Sequence, residues 1–299
     1  MAERSEPLLL EGALVVALDE AGTVAERTVR VEEGRIAAVT APGAPAPAGA
    51  RRVDCGGRVL LPGLVNAHLH PELHLARGLL QGRTLHEWGA CEPFGRALAF
   101  LSSPAGRGAR RAATRAALAE CLLGGVTAVG AYGVTDGAAA DQAEELRALG
   151  LRGHVTIRDV AFGPARGLAV RHVYRLHAEE TLTEAELAAA AAAHERGERV
   201  VIHVAETRWR VELCRTRFGT TPIRLLARWG LLSPRVLLSH AVHLDEEEIG
   251  LIARAGAPVL ASPSAEMKLG DGVAPIPALL AAGALVALGT DAAVCNDAT

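Results

Sequence analysis

Leu61-Pro62-Gly63-Leu64-Val65-Asn66-Ala67-His68-Leu69-His70 is an apolar run that ends on two histidines spaced two apart. Side chains alternate along an extended strand, so His68 and His70 point to the same side. At the mouth of a parallel barrel that side is the interior, and two imidazoles converging there make half of a transition-metal site. Downstream, the chain keeps one rhythm. Apolar runs that suit fully buried parallel strands alternate with amphipathic helical stretches, the pattern of βαβ units. Strands are predicted at Leu60–Asn66, Val126–Ala131, Leu151–Ile157, Leu168–Tyr174, Val200–Val204, Val236–Ser239, Pro258–Ala261 and Leu285–Leu288. Helices are predicted at Gly108–Leu123, Asp136–Leu149, Glu184–Arg196, Pro222–Trp229, Asp245–Ala255 and Pro275–Ala282. Thr183, with Glu186 three residues on, forms a capping box ahead of the third of these. Eight such strands predict an α/β protein, a (β/α)8 TIM-type barrel over residues 59–299.

Upstream of the barrel, Leu8–Leu18, Thr28–Val31 and Arg35–Val39 read as short strands, with a turn at Glu33-Gly34. Ala41–Ala50 is rich in Pro, Gly and Ala and reads as a loop. Residues 1–58 therefore form a small separate portion. A chain of 299 residues has room for a barrel and such an appendage. The net charge of -3 gives no electrostatic reason to expect nucleic acid or an anionic membrane as partner. No apolar stretch reaches the ~18–20 residues of a membrane span. Cys55, Cys91, Cys121, Cys214 and Cys295 are scattered without a CxxC pair. That pattern predicts reduced thiols in a cytoplasmic protein and excludes the paired-cysteine zinc site of small nucleobase deaminases.

Three more strand ends carry candidate chemistry. Val200-Val201-Ile202-His203-Val204-Ala205-Glu206-Thr207 sets an imidazole at the end of the fifth strand, with a carboxylate three residues on. Leu237-Leu238-Ser239-His240-Ala241-Val242-His243 ends the sixth, and Leu288-Gly289-Thr290-Asp291 the eighth. Each alone reads equally well as a hydrogen-bonded structural group. All four at the same end of successive strands point to one site.

With these motifs assembled, the chain resembles the amidohydrolase superfamily, in its branch of triazine hydrolases and adenosine- or guanine-type deaminases. PGLVNAHLH, HVAET, SHAVHL and the run from Ser262 to Asp297 carry the resemblance. It implies one divalent metal ion, Zn2+ or Fe2+, held by His68, His70, His203 and Asp291. It also implies that Glu206 shuttles protons, that His240 polarises the attacked carbon and the water, and that Asp291 accepts the water's proton. His177, in Leu176-His177-Ala178-Glu179, matches a substrate-contacting histidine, and Trp88 a tryptophan near the substrate lobe. Binuclear relatives bridge their metals with a lysine of the fourth strand. The only lysine here is Lys268, after the seventh strand, so one metal is expected. The implied reaction is hydrolytic deamination of an amino-substituted N-heterocycle, a purine, pterin, pyrimidine or s-triazine. Chloride or alkylamine release from the same site is the alternative, and a non-catalytic barrel used as a scaffold is the rival reading. The resemblance is also compatible with a homo-oligomer.

Departures from the family pattern are equally specific. Ser262-Pro263-Ser264-Ala265-Glu266 stands where relatives carry Asn-Pro-x-Ser-Asn, which makes Glu266 a candidate substrate-reading carboxylate. Gly95-Arg96-Ala97-Leu98 lacks the ribose-binding glutamate of nucleoside deaminases, which weakens the case for adenosine-like substrates. Family members complete a small β-sandwich from the N-terminal segment and strands beyond the barrel. The sequence given stops at Thr299, so those C-terminal strands are expected to be missing.

Overall fold

The computed structural model describes residues 6–157 and 170–296. Leu168 and Ala169, the start of the predicted fourth barrel strand, and Asp297 and Thr299 lie outside the described residues. Two compact units divide between Gly63 and Leu64.

In the first unit, β1 (Leu8–Val16), β2 (Val24–Glu32) and β3 (Arg35–Thr40) form an antiparallel run. Glu33 and Gly34 both adopt left-handed backbone (φ 49° and 72°), the requirement of a tight two-residue hairpin turn. β4 (Arg51–Asp54) and the short β5 (Val59–Leu60) both pair in parallel with β1. Val59–Leu60 thus belongs to this sheet, whereas the sequence joins Leu60 to the first barrel strand. Ala13, Val15 and Val29 form its small buried core.

The second unit is the barrel. Its strands are β6 (Leu64–Leu69), β7 (Val126–Ala131), β8 (Arg152–Ile157), β9 (Val170–Arg175), β10 (Val200–Val204), β11 (Val236–His240), β12 (Val259–Ala261) and β13 (Val286–Leu288). They pair in parallel in chain order. The ring closes where Leu69 bridges Asp291; His70 N donates to Asp291 O (3.2 Å) and Asp291 N to His68 O (2.9 Å). Alternation decides which residues reach the interior. Val200, Ile202 and Val204 pack outward with Leu187, Ala190 and Ile223 of the helical layer, while Val201 clusters with Val173, Leu237 and Leu260 inside. The inward row on β10 therefore continues to His203, and that on β11 to Ser239.

Helices Arg107–Leu123, Ala138–Ala148, Glu184–Glu195, Pro222–Arg228, Glu246–Ala255 and Ile276–Ala281 lie where the periodicity predicts them. The capping box is formed: Thr183 Oγ1 accepts from Glu186 N (3.1 Å), and Thr183 N donates to the Glu186 carboxylate (3.1 Å). The 3-10 turns Pro71–Ala76 and Leu85–Ala90 and the helices Glu92–Ser102, Arg208–Phe218, Pro263–Leu269 and Ala293–Asn296 are additions to the sequence reading. Among the described residues no helix is long and apolar enough to cross a membrane.

Glycine is required on β7. A methyl group at Gly130 would collide with the carbonyl of Ala67 on the neighbouring strand. Gly130→Ala is expected to destabilise the fold by roughly 1–3 kcal/mol. Gly108, exposed in a helix with open space around it, is the control, and Gly108→Ala should stabilise by about 0.5–1 kcal/mol. Denaturant unfolding of the two variants checks both signs.

Candidate active site

His68 and His70 share one side of β6 and are buried, as is His203. By strict alternation His240 would face the helices beside Val236 and Leu238. Instead its backbone is left-handed (φ 70°), as is that of Ala241 (φ 51°), and its ring turns in to 5.3 Å from that of His68. Asp291 (φ 62°) and Ala205 (φ 48°), which precedes Glu206, are left-handed too. Such strained non-glycine residues cluster at functional sites.

The donors converge. His203 Nε2 lies 3.3 Å from His70 Nε2, and Asp291 Oδ1 lies 3.0 Å from His70 Nε2 and 3.5 Å from His68 Nε2. His70 Nδ1 donates to Tyr132 O (2.9 Å) and His203 Nδ1 to His177 O (3.0 Å), because a carbonyl can only accept. His68 Nδ1 lies 3.2 Å from Ser239 Oγ. The Nε2 atoms of His70 and His203 thus face each other, and His68 Nε2 is buried without a hydrogen-bond partner. Burial pushes the His68 imidazole down to about 3 and that of His203 well below its ordinary range. Burial would raise Asp291, but His68 and His70 beside it hold its carboxyl well below the usual range. Three nitrogens and one oxygen brought this close fit Zn2+ or Fe2+. His240 also comes within ligand spacing of His68 and Asp291.

Neighbouring groups fix these side chains. Asn66 Nδ2 donates to Thr290 Oγ1 (2.7 Å) and Asn66 Oδ1 accepts from Thr290 N (3.2 Å), tying the strand of His68 to the segment of Asp291. The Cys295 thiol donates to Asp291 Oδ2 (3.0 Å).

Glu206, 3% exposed, places Oε1 3.7 Å from His240 Nε2, while Oε2 pairs with Arg210 Nη1. Glu266 Oε1 lies 3.4 Å from His240 Nδ1 and accepts from Ser262 N (2.8 Å). Burial alone would lower His240, but Glu206, Glu266 and Asp291 together raise its imidazole to about 9. A cavity of about 840 Å³ opens over His70, His203, Glu206, His240 and Asp291. His177 and Trp88 line its wall, and Trp88 packs edge-on against Phe94 (5.4 Å). Glu266 is not among the lining residues; its carboxylate sits behind His240. Outside the cavity wall, His243 Nε2 donates to Asp271 O (2.7 Å), and His74 faces Glu120 (3.4 Å).

Tyr132, Glu180 and Arg210 are functional-site residues that sequence reasoning missed. Arg210 stands four residues after Glu206 on a helix start, a spacing that could have revealed it. Glu180 pairs with Arg210 across thirty positions and leaves no local signal.

The amidohydrolase family model matches residues 59–299. The chain belongs to this family. It is 32% identical over 313 residues to a 5-methylthioadenosine/S-adenosylhomocysteine deaminase of Symbiobacterium thermophilum, covering 96% of this chain and 70% of that protein. The protein of the same name from Halobacterium salinarum is 33% identical over 312 residues, covering 98% of this chain and 70% of the relative. Among solved structures, an adenosine deaminase from Xanthomonas campestris with bound zinc aligns with a TM-score of 0.84 and 28% identity over 97% of this chain and 70% of that one. A triazine hydrolase from Arthrobacter aurescens shares the fold, with a TM-score of 0.86 and 24% identity over 99% of this chain and 73% of the other.

In this amidohydrolase, Glu179 sits fully buried behind the cavity wall and accepts from Ala205 N (2.6 Å). Burial raises its carboxyl from the ordinary 4.5 to about 7, against the pull of Arg210. The folded state holds a proton that the unfolded chain has released, so this group's contribution to stability falls as pH rises from 4.5 through about 7. Glu179→Gln is expected to be more stable than the parent at about pH 8, with the advantage gone near pH 4.5. Urea midpoints at both pH values check this, and an advantage independent of pH contradicts it.

Proposed function

We propose that this amidohydrolase is a metal-dependent hydrolytic deaminase of an amino-substituted N-heterocycle, a purine, pterin, pyrimidine or s-triazine. One observation carries the reading. Four donors, His68, His70, His203 and Asp291, converge beside Glu206 and His240, and all but His68 line a cavity large enough for a bicyclic heterocycle. The residues fit one divalent ion, Zn2+ or Fe2+, and the zinc in the Xanthomonas deaminase supports zinc. When bound, such an ion supplies Lewis-acid activation of water at neutral pH.

The remaining work falls to the protein. Arg210 holds one oxygen of Glu206, which leaves Oε1 to deliver a proton to a ring nitrogen, while Asp291 would accept a proton of the water, and the water's second proton would leave with the amine as ammonia. His240 is kept protonated by the carboxylates around it and can donate from Nε2 at the attacked carbon. The neutral imidazole of His177 orients the substrate, and the apolar faces of Leu73, Trp88 and Phe94 exclude bulk water from the ring. Water adds, ammonia departs, and a carbonyl replaces the amine. The names of the relatives support an amine as leaving group. Five unpaired cysteines support a reducing, cytoplasmic setting.

Metal-loaded protein offered a panel of amino-heterocycles should release ammonia from at least one. Glu206→Gln should keep its metal and lose about 10²–10⁴-fold in kcat. Asp291→Ala should lose the metal itself. Undiminished turnover by Glu206→Gln contradicts the proton role. Chloride release from a chlorotriazine without ammonia release from any amine would assign the leaving group differently, and no turnover on any substrate favours the scaffold.

A further inference from the structure

The cavity wall beside Glu206 carries a carboxylate, Glu180, that the proposed chemistry does not use. Arg210, 6% exposed on the first turn of helix Arg208–Phe218, pairs through Nη1 with Glu206 and through Nη2 with Glu180 Oε1 (2.5 Å). Glu180 follows His177 by three residues in the loop after β9. Arg217 fixes that loop by donating to the carbonyls of Glu179 (2.8 Å), Glu180 (3.1 Å) and Leu182. Glu180, Arg210 and His177 all line the cavity. One guanidinium therefore faces two carboxylates, Glu206 and Glu180. Glu180 Oε2 is buried without a hydrogen-bond partner, a condition that a ligand's donor relieves. Elsewhere on the wall, Leu85, Trp88, Phe94 and Leu98 supply apolar surface.

We infer that Glu180 is a specificity-determining residue that selects substrates whose non-reacting substituent carries a hydrogen-bond donor, best a protonated amine, and disfavours a carboxylate there. Arg210 is the positioning residue, because it occupies Oε1 and leaves Oε2 for the substrate. This deepens the deaminase reading and rests on the same cavity being the substrate site. Arg210 Nε also lacks a partner, so a carboxylate-bearing ligand tests the opposite preference.

The test is calorimetric binding to zinc-loaded protein of adenine and diamino-s-triazine probes, each carrying an aminopropyl, propyl or carboxypropyl chain. The aminopropyl probe of at least one scaffold should bind about tenfold or more tighter than its propyl counterpart, and the carboxypropyl probe more weakly than either. Glu180→Gln should bring the aminopropyl-to-propyl ratio close to one, and Glu180→Lys should reverse the order. The comparison within the parent protein needs no variant. Equal affinity for the three chains, tighter binding of the carboxypropyl probe, no binding on either scaffold, or an unchanged ratio in a folded Glu180→Gln overturns the assignment. Ammonia release measured on the same samples separates the two claims. Binding preference without turnover upholds Glu180 and sinks the deaminase reading, and turnover without preference does the reverse.

Discussion

Convergence of buried nitrogen and oxygen donors on one point is the constraint around which the barrel mouth is arranged. His70 and His203 each spend Nδ1–H on a backbone carbonyl, so each aims Nε2 inward. Those atoms meet at 3.3 Å, and Asp291 adds a negative oxygen at 3.0 Å from one of them. These donor atoms are buried and lie within ligand spacing of one another. Such an arrangement suits a cation. The outer hydrogen bonds to the carbonyls of Tyr132 and His177 fix the orientation in which these rings meet.

Reaching that geometry requires the backbone to depart from ordinary strand conformation. His240, Ala241, Ala205 and Asp291 occupy the left-handed region without being glycine, at a cost of order 1–3 kcal/mol each. The return is directional. At His240 the turn moves a side chain from the helical layer to the site, and at Asp291 it lets one residue both close the barrel and aim a carboxylate inward. The fully buried strands β10 and β11 and the helices packed on them supply the rigidity that holds the strain in place.

Much of this was legible in the sequence because it depends on short-range periodicity. Val126–Ala131 and Val200–Val204 are strands with the predicted bounds, and the Thr183 capping box starts its helix as read. The His68–His70 spacing and the strand-end positions of His203, His240 and Asp291 were legible for the same reason. Arg51–Asp54 escaped notice because a polar edge strand has no apolar run, and Arg208–Phe218 because its mixed charges blur the helical stripe. Glu266, a candidate substrate-reading carboxylate on sequence grounds, stands 3.4 Å from His240 Nδ1 and is not among the cavity-lining residues. The Glu180–Arg210–Glu206 chain could not be read at all, since ion pairs across loops have no periodic signature.

The central claim is tested most directly by anomalous diffraction at the zinc edge from crystals of zinc-loaded protein. The account predicts a single strong peak bonded at about 2.0–2.2 Å to Nε2 of His68, His70 and His203 and to an oxygen of Asp291. A peak elsewhere, or no peak with these four side chains ordered and turned apart, would contradict it.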